Sequence, residues 1–178
     1  MDIDQIKDTY RNFHEEYLSG SPVLLKYMEH GVWAPSSIKD MWRLFRKHGG
    51  REKRFLDLGS GDGIAVATAS LFFMEAHGIE IDESLYNSSN RLIELLGIKN
   101  AHLEKKDFME ADFSAFDAIF IAPDKPFTLK LERKIRNELN GILIVYSSIF
   151  RPETLKPSEI IPTKHHETAL YKNSAMNV

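Results

Sequence analysis

The chain has no cysteine, which excludes disulfides and thiolate-held metals and fits a cytoplasmic protein. It has no apolar run near the ~20 residues of a membrane-spanning helix and no signal-peptide pattern at its start, so no membrane association is expected. Neither charge dominates: 23 Lys and Arg oppose 26 Asp and Glu, a formal net charge of −3. That balance excludes a nucleic-acid footprint over the whole domain but permits a local basic face. Internal repeats and low-complexity segments are missing as well. What is present, 178 residues with 43% apolar and 28% charged side chains, is the make-up of one globular domain able to bury a full core. The adjacent pair His165-His166 faces two ways and lacks carboxylates at ligand spacing, so no metal is expected.

The organising stretch is Arg54-Phe-Leu-Asp57-Leu-Gly59-Ser60-Gly61-Asp62-Gly63. A short apolar run ends in an acid, three glycines follow at alternate positions, and an apolar helical pattern begins: strand, tight turn, helix start. Glycines placed this way let backbone approach a ligand closely, and the helix start aims unpaired N–H groups at the same spot. The spacing is not that of a dinucleotide site, whose third glycine would fall at position 64, where this chain has Ile64. Gly78-Ile-Glu80-Ile81-Asp82 then closes the next strand about 20 residues on, where a carboxylate can accept from ribose hydroxyls.

Before this stretch, Ile3, Ile6, Tyr10, Phe13 and Tyr17 recur at spacings of three and four, the pattern of an amphipathic helix over 2–18. Ser21 as N-cap and Pro22 as first helical residue predict a second helix ending near Gly31. A third helix, capped by Ser36 or Ser37, carries the stripe Ile38, Met41, Trp42 and Phe45 and stops at Gly49-Gly50. Its other face and the following loop hold Lys39, Arg43, Arg46, Lys47, Arg51, Lys53 and Arg54, either a solvated surface or a place for RNA or an acidic partner. After the turn, helices are expected over 64–76 and from a Ser84 cap to Gly97. Strands are expected over 101–107, 116–122 and 141–147, with a helix over 127–139. Their alternation predicts an α/β protein with a doubly wound, mostly parallel sheet. Pro152, Pro157 and Pro162 punctuate a loop before a final hairpin of 158–161 with 167–172, and residues beyond Asn173 are expected to be loose.

With Asp57-Leu-Gly-Ser-Gly-Asp-Gly63 and Gly78-Ile-Glu80-Ile-Asp82 both in view, residues 33–148 resemble the class I S-adenosylmethionine (SAM) dependent methyltransferases. Within that family the chain looks most like the small archaeal and mitochondrial protein-lysine methyltransferases. These carry a Val-Pro-Thr/Ser-Pro segment where this chain has Val32-Trp33-Ala34-Pro35-Ser36-Ser37, with one of the two prolines. The resemblance implies a Rossmann-like methyltransferase fold in one domain, with residues 1–35 as a helical extension, 36–173 as the SAM-binding core and an antiparallel last strand. It implies SAM as cofactor and a protein lysine as acceptor, with RNA as the nearest alternative and cofactor binding without catalysis as another. It leaves the oligomeric state open.

By the same resemblance Asp57, Gly59, Ser60, Gly61 and Gly63 hold the methionine part of SAM, and Glu80, followed by Ile81, accepts from its ribose. As a strand-end acid facing a crevice, Glu80 is expected to support little of the fold. Asp107 falls where the family places an acid near the adenine amino group. Phe108 lies beside that ring or is ordinary core, and Asp82 serves the site or caps the next helix. Trp33 covers the cofactor or acceptor, or simply packs. Pro123 and Asp124 close the fourth strand, where the family presents its acceptor. There Asp124 orients an acceptor amine or opens the following helix.

Overall fold

The computed structural model describes residues 2–163 and 167–172. In chain order the elements are α1 (Ile3–Tyr17), β1 (Lys26–Met28), β2 (Gly31–Trp33), α2 (Ile38–His48), β3 (Gly50–Leu58) and α3 (Ile64–Ala69). There follow β4 (Phe73–Glu80), α4 (Glu83–Leu95), β5 (Ala101–Lys105), β6 (Ala118–Ile121), α5 (Leu129–Glu138), β7 (Ile142–Tyr146), β8 (Glu159–Pro162) and β9 (Glu167–Lys172). The main sheet runs β5-β4-β3-β6-β7-β9-β8. β5, β4, β3, β6 and β7 are mutually parallel, and β9 lies antiparallel between β7 and β8. The expected doubly wound sheet and its closing hairpin are therefore both present. His165, His166 and the residues beyond Asn173 lie outside the described residues.

Alternation along each central strand divides the core into two layers. Phe55, Phe73, Ala118, Phe120, Ile144 and Leu170 face α1, α2, α3 and α4. Leu56, Ile119, Ile121, Leu143 and Val145 face α5 and the 3₁₀ turn Phe113–Ala115. β6 is buried along its whole length, as a parallel strand covered on both faces must be. No helix forms between β7 and β8 among the described residues; the loop there is held by buried Glu132 of α5, which accepts the N–H groups of Glu153 and Thr154 at 2.8 Å each.

Four local expectations are corrected. The segment expected as a second helix is a two-residue-turn hairpin, β1 with β2, pairing Lys26 with Trp33 and Met28 with Gly31. The extension is thus one helix and one hairpin, and the hairpin is held by Asp124 and Lys125, in the loop after β6, contacts that no local signal encodes. The helix after the glycine turn stops at Ala69 rather than Ala76, because the chain must turn back to enter the sheet at Phe73 as β4 beside β3. Asn100 Nδ2 fixes that reversal, lying 3.0, 3.3 and 3.2 Å from the carbonyl oxygens of Ser70, Phe73 and Met74. Asp82, not Ser84, caps α4, its carboxylate accepting the Leu85 N–H at 3.0 Å. On α2, capped by Ser37, Leu44 takes the core position expected of Trp42, whose half-buried ring lies beneath Arg46.

Candidate active site at the strand ends

The glycine turn is built by left-handed backbone. Gly59, Gly61 and Gly63 have φ of 73°, 54° and 80°. The N–H groups of Gly59 and Ser60 both donate to the Ile79 carbonyl at 2.9 Å, stitching the turn to β4. A Cβ at Gly59 would meet nothing within 4 Å, so that side of the turn is open. A Cβ at Gly61 would lie 2.9 Å from the Trp33 ring, and one at Gly63 would lie 3.0 Å from Ser89.

Glu80 closes this arrangement and departs from expectation. Its carboxylate is buried, accepting the Gly61 N–H at 2.7 Å through Oε2 and the N–H groups of Ile81 and Asp82 at 2.8 Å each through Oε1. It is a clamp that shapes the turn as well as a strand-end acid, so the expectation that it supports little of the fold is corrected.

Asp57 and Asp62 complete a cluster of three buried carboxylates around the turn. Burial first, then the charges of Glu80 and Asp62, holds the Asp57 carboxyl well above the usual carboxylate range. Among the described residues it receives no hydrogen bond, and the buried Ser60 hydroxyl is likewise without a partner. Buried acids and an orphaned hydroxyl beside an open glycine turn fit a ligand that brings cationic and hydrogen-bonding groups, as SAM does.

Sequence reasoning missed what α1 does here. His14 Nε2 lies 2.6 Å from Asp62 Oδ2, and the Tyr10 hydroxyl donates to the Asp62 carbonyl at 3.2 Å. Burial, then the charge of Asp62, raises the Tyr10 hydroxyl well above its ordinary value. The available signal was Tyr10 and His14 four apart on the otherwise apolar face of α1. Trp33 is buried against Gly61 and rings from α1, with centroids 5.2 Å from Tyr17 and 5.6 Å from His14. It covers the outer side of the turn. Tyr146, at the end of β7, was also missed: its hydroxyl donates to buried Asp40 at 3.1 Å, and burial pushes it up to about 12. This bond ties the first turn of α2 to the sheet.

Ile81 is exposed immediately beyond Glu80. Asp107 is exposed and caps the 3₁₀ turn Phe108–Glu110 through the Met109 N–H at 2.8 Å. Phe108 is half-buried against the α5 side of the core. After Pro123, Asp124 Oδ2 accepts the Val32 N–H at 2.7 Å, and Lys125 Nζ donates to the His30 carbonyl at 3.3 Å. Asp124 does not open α5; Thr128 does, accepting the Leu131 N–H at 3.2 Å.

No protein-family model matches the chain. The protein-L-isoaspartate O-methyltransferase of Roseiflexus castenholzii is 33% identical over 76 residues, 42% of this chain and 35% of that protein. The match thus spans about a third of that relative's length. Among solved structures, an RNA methyltransferase from Salinibacter ruber, in complex with S-adenosyl-L-homocysteine, superposes with a TM-score of 0.68 at 20% identity, covering 78% of this chain and 93% of that one. The tRNA (m1A58) methyltransferase of Aquifex aeolicus gives 0.60 at 15% identity, covering 79% and 77%. Identities this low speak to architecture. The strand order, the antiparallel β9 and the glycine turn between β3 and α3 give this chain the fold of the class I SAM-dependent methyltransferases.

Proposed function

We propose that the protein is a SAM-dependent methyltransferase that N-methylates lysine in a protein acceptor. Asp57 and the turn Gly59–Gly63 would hold the methionine part, Glu80 would use the remaining lone pair of Oε2 toward the ribose, and Ile81, Asp107 and Phe108 would border the adenine. Trp33 backs the turn at Gly61. When bound, SAM supplies a methyl group on a sulfonium whose thioether leaves neutral, so alignment is the main task left to the protein. Pro123 and Asp124 follow the end of β6 at the acceptor side, where Asp124 would accept from the lysine amine once its proton has passed to water.

The single observation that carries the acceptor class is the apolar rim around the C-terminal strand ends. Leu129 and Ile149 are exposed there, and Tyr27 and Val32 stand exposed on the hairpin pinned beside them, Tyr27 at 84% and Ile149 at 81%. Such a rim suits a polypeptide better than a phosphate backbone. RNA is the second reading, favoured by the acceptors named for the Salinibacter and Aquifex neighbours. Against it, Arg46, Lys47, Arg51, Lys53 and Arg54 cluster where α2 ends and β3 begins, at the opposite end of the sheet from the crevice. Several are already engaged: Lys47 with Glu159 at 2.8 Å, Arg54 with Glu75 at 3.0 Å.

Labelled SAM incubated with the protein and cell extract, then divided between protease and nuclease, tests the reading. Label should survive nuclease, disappear with protease and yield methyl-lysine on hydrolysis. Nuclease-sensitive label would replace lysine by RNA, and no label from a protein that binds S-adenosylhomocysteine would leave a non-catalytic binder. A companion variant, Arg43→Ala/Arg46→Ala/Lys47→Ala, should transfer label within about twofold of the parent, since exposed pairs of this kind contribute only ~0–1 kcal/mol. A steep salt dependence of binding to structured RNA, lost in the triple variant, would reverse the ranking of acceptors.

A further inference from the structure

The carboxylate of Asp124 stands at the acceptor end of β6, yet half of it is already used. Oδ2 accepts the N–H of Val32, a residue 92 positions earlier, at 2.7 Å. The approach is possible only because residue 31 is glycine: a Cβ there would stand 2.0 Å from Oδ2 and 3.6 Å from Oδ1. The neighbouring Lys125 reaches back to the His30 carbonyl at 3.3 Å, so two successive residues after Pro123 grip the same hairpin turn. Oδ1 has no hydrogen-bond partner among the described residues.

We infer that the Gly31–Val32 backbone is a positioning element of the acceptor site, fixing Asp124 Oδ2 so that Oδ1 is held ready for the acceptor amine. The inference rests on the proposed reading of Asp124 as the group that meets the acceptor. Asp124 lies on an exposed loop, where a free carboxylate would rotate about two side-chain torsions. One short charge-assisted bond to a backbone N–H removes that freedom without consuming the second oxygen. Alignment is what a methyl transfer needs from the protein, and a displacement of about 1 Å can cost about a hundredfold in rate. Gly31 and Val32 are therefore positioning residues, and the hairpin is a wall of the acceptor site as well as a cover for the glycine turn.

The test uses the full chain and three readouts: S-adenosylhomocysteine affinity by calorimetry, exchange of the Val32 amide proton, and initial rate of label transfer at saturating SAM into total extract acceptor. Gly31→Ala should leave S-adenosylhomocysteine affinity within about twofold, speed exchange at Val32 by about tenfold or more, and slow transfer by about tenfold or more. Asp124→Asn keeps an oxygen able to accept from Val32, so that amide should stay protected while transfer still falls about tenfold or more. Lys125→Ala loosens the hairpin without touching Oδ2 and should alter the rate by no more than about twofold. Wild-type transfer by Asp124→Asn, or by Gly31→Ala with Val32 deprotected, would overturn the inference. So would a loss in Lys125→Ala equal to that in Gly31→Ala, which would make the hairpin a cover only. Because the rate counts all label, nuclease-sensitive product would overturn the lysine acceptor while leaving these comparisons intact.

Discussion

Replacing Glu80 by alanine is expected to lower the melting temperature of the cofactor-free protein by about 5–15 °C and to weaken S-adenosylhomocysteine binding by about 100-fold or more. The stability loss follows from three backbone donors losing their acceptor at once. An N–H left unpaired in a buried site costs ~1–3 kcal/mol, and this applies most directly to Gly61. The Ile81 and Asp82 donors are partly exposed and recover some of their loss from water. Relief of repulsion with Asp57 offsets a further part, leaving a net cost of about 2–4 kcal/mol, which for a chain of this size is ~2–4 °C per kcal/mol. The affinity loss combines a missing charge-assisted contact, ~1.5–3 kcal/mol or about 10- to 100-fold, with a turn that no longer holds its shape. Glu80→Gln retains one acceptor oxygen and should fall between. Thermal unfolding of the apo protein decides the matter: an unchanged midpoint in Glu80→Ala would remove the clamp from the account of this site.

Asp57→Asn should do the opposite to the fold while sharing the binding defect. A carboxyl whose folded-state value is raised favours the protonated form in the native protein. The cost of ionising it is absent below the ordinary carboxylate range, grows as pH rises through the raised value, and is constant above that. The amide carries no such cost, so at neutral pH the apo variant should melt higher than the parent. It should also bind S-adenosylhomocysteine about 10- to 100-fold more weakly, having lost one charge-assisted partner for the ligand ammonium. In the parent, an arriving ammonium stabilises the carboxylate. Binding should therefore release a proton and tighten as pH climbs from the carboxylate range through the raised value of Asp57. Calorimetry in buffers of different ionisation enthalpy reads that proton directly. A variant less stable than the parent, or binding without proton release across this range, would show that Asp57 is not the ionising group of the cluster.

Both predictions depend on partners that differ in how far they were legible. The strand, the glycine turn and the helix start at Ile64, the next strand carrying Glu80, and the alternation through β7 could all be read from the chain. Each is a local matter: alternation of period two, glycine where φ is positive, an acid or hydroxyl at a helix start. Where local signals were weak or conflicting the reading failed. Ser21-Pro22 is a good helix opening, yet the segment is a hairpin, because its stability comes from Asp124 and from rings of α1 packed on Trp33 rather than from its own propensity. Ile64 to Ala76 has helical composition throughout, yet the sheet needs Phe73 for β4.

The candidate site divides the same way. That Asp57, Gly59, Gly61, Gly63 and Glu80 belong together is written in their spacing, because a turn between adjacent parallel strands brings nearby positions together whatever the rest of the molecule does. Their working state is not written there. The raised Asp57 carboxyl depends on burial by the whole domain, and the grip of Glu80 on Gly61 spans 19 residues. The pairing of His14 with Asp62 spans 48, and the seat of Asp124 on Val32 spans 92. Interactions over such separations carry no local periodicity or propensity. The Glu80 grip exists only once β3 and β4 have paired, and the other two only once α1 and the β1–β2 hairpin have packed over the ends of the strands, so the tertiary structure alone decided them.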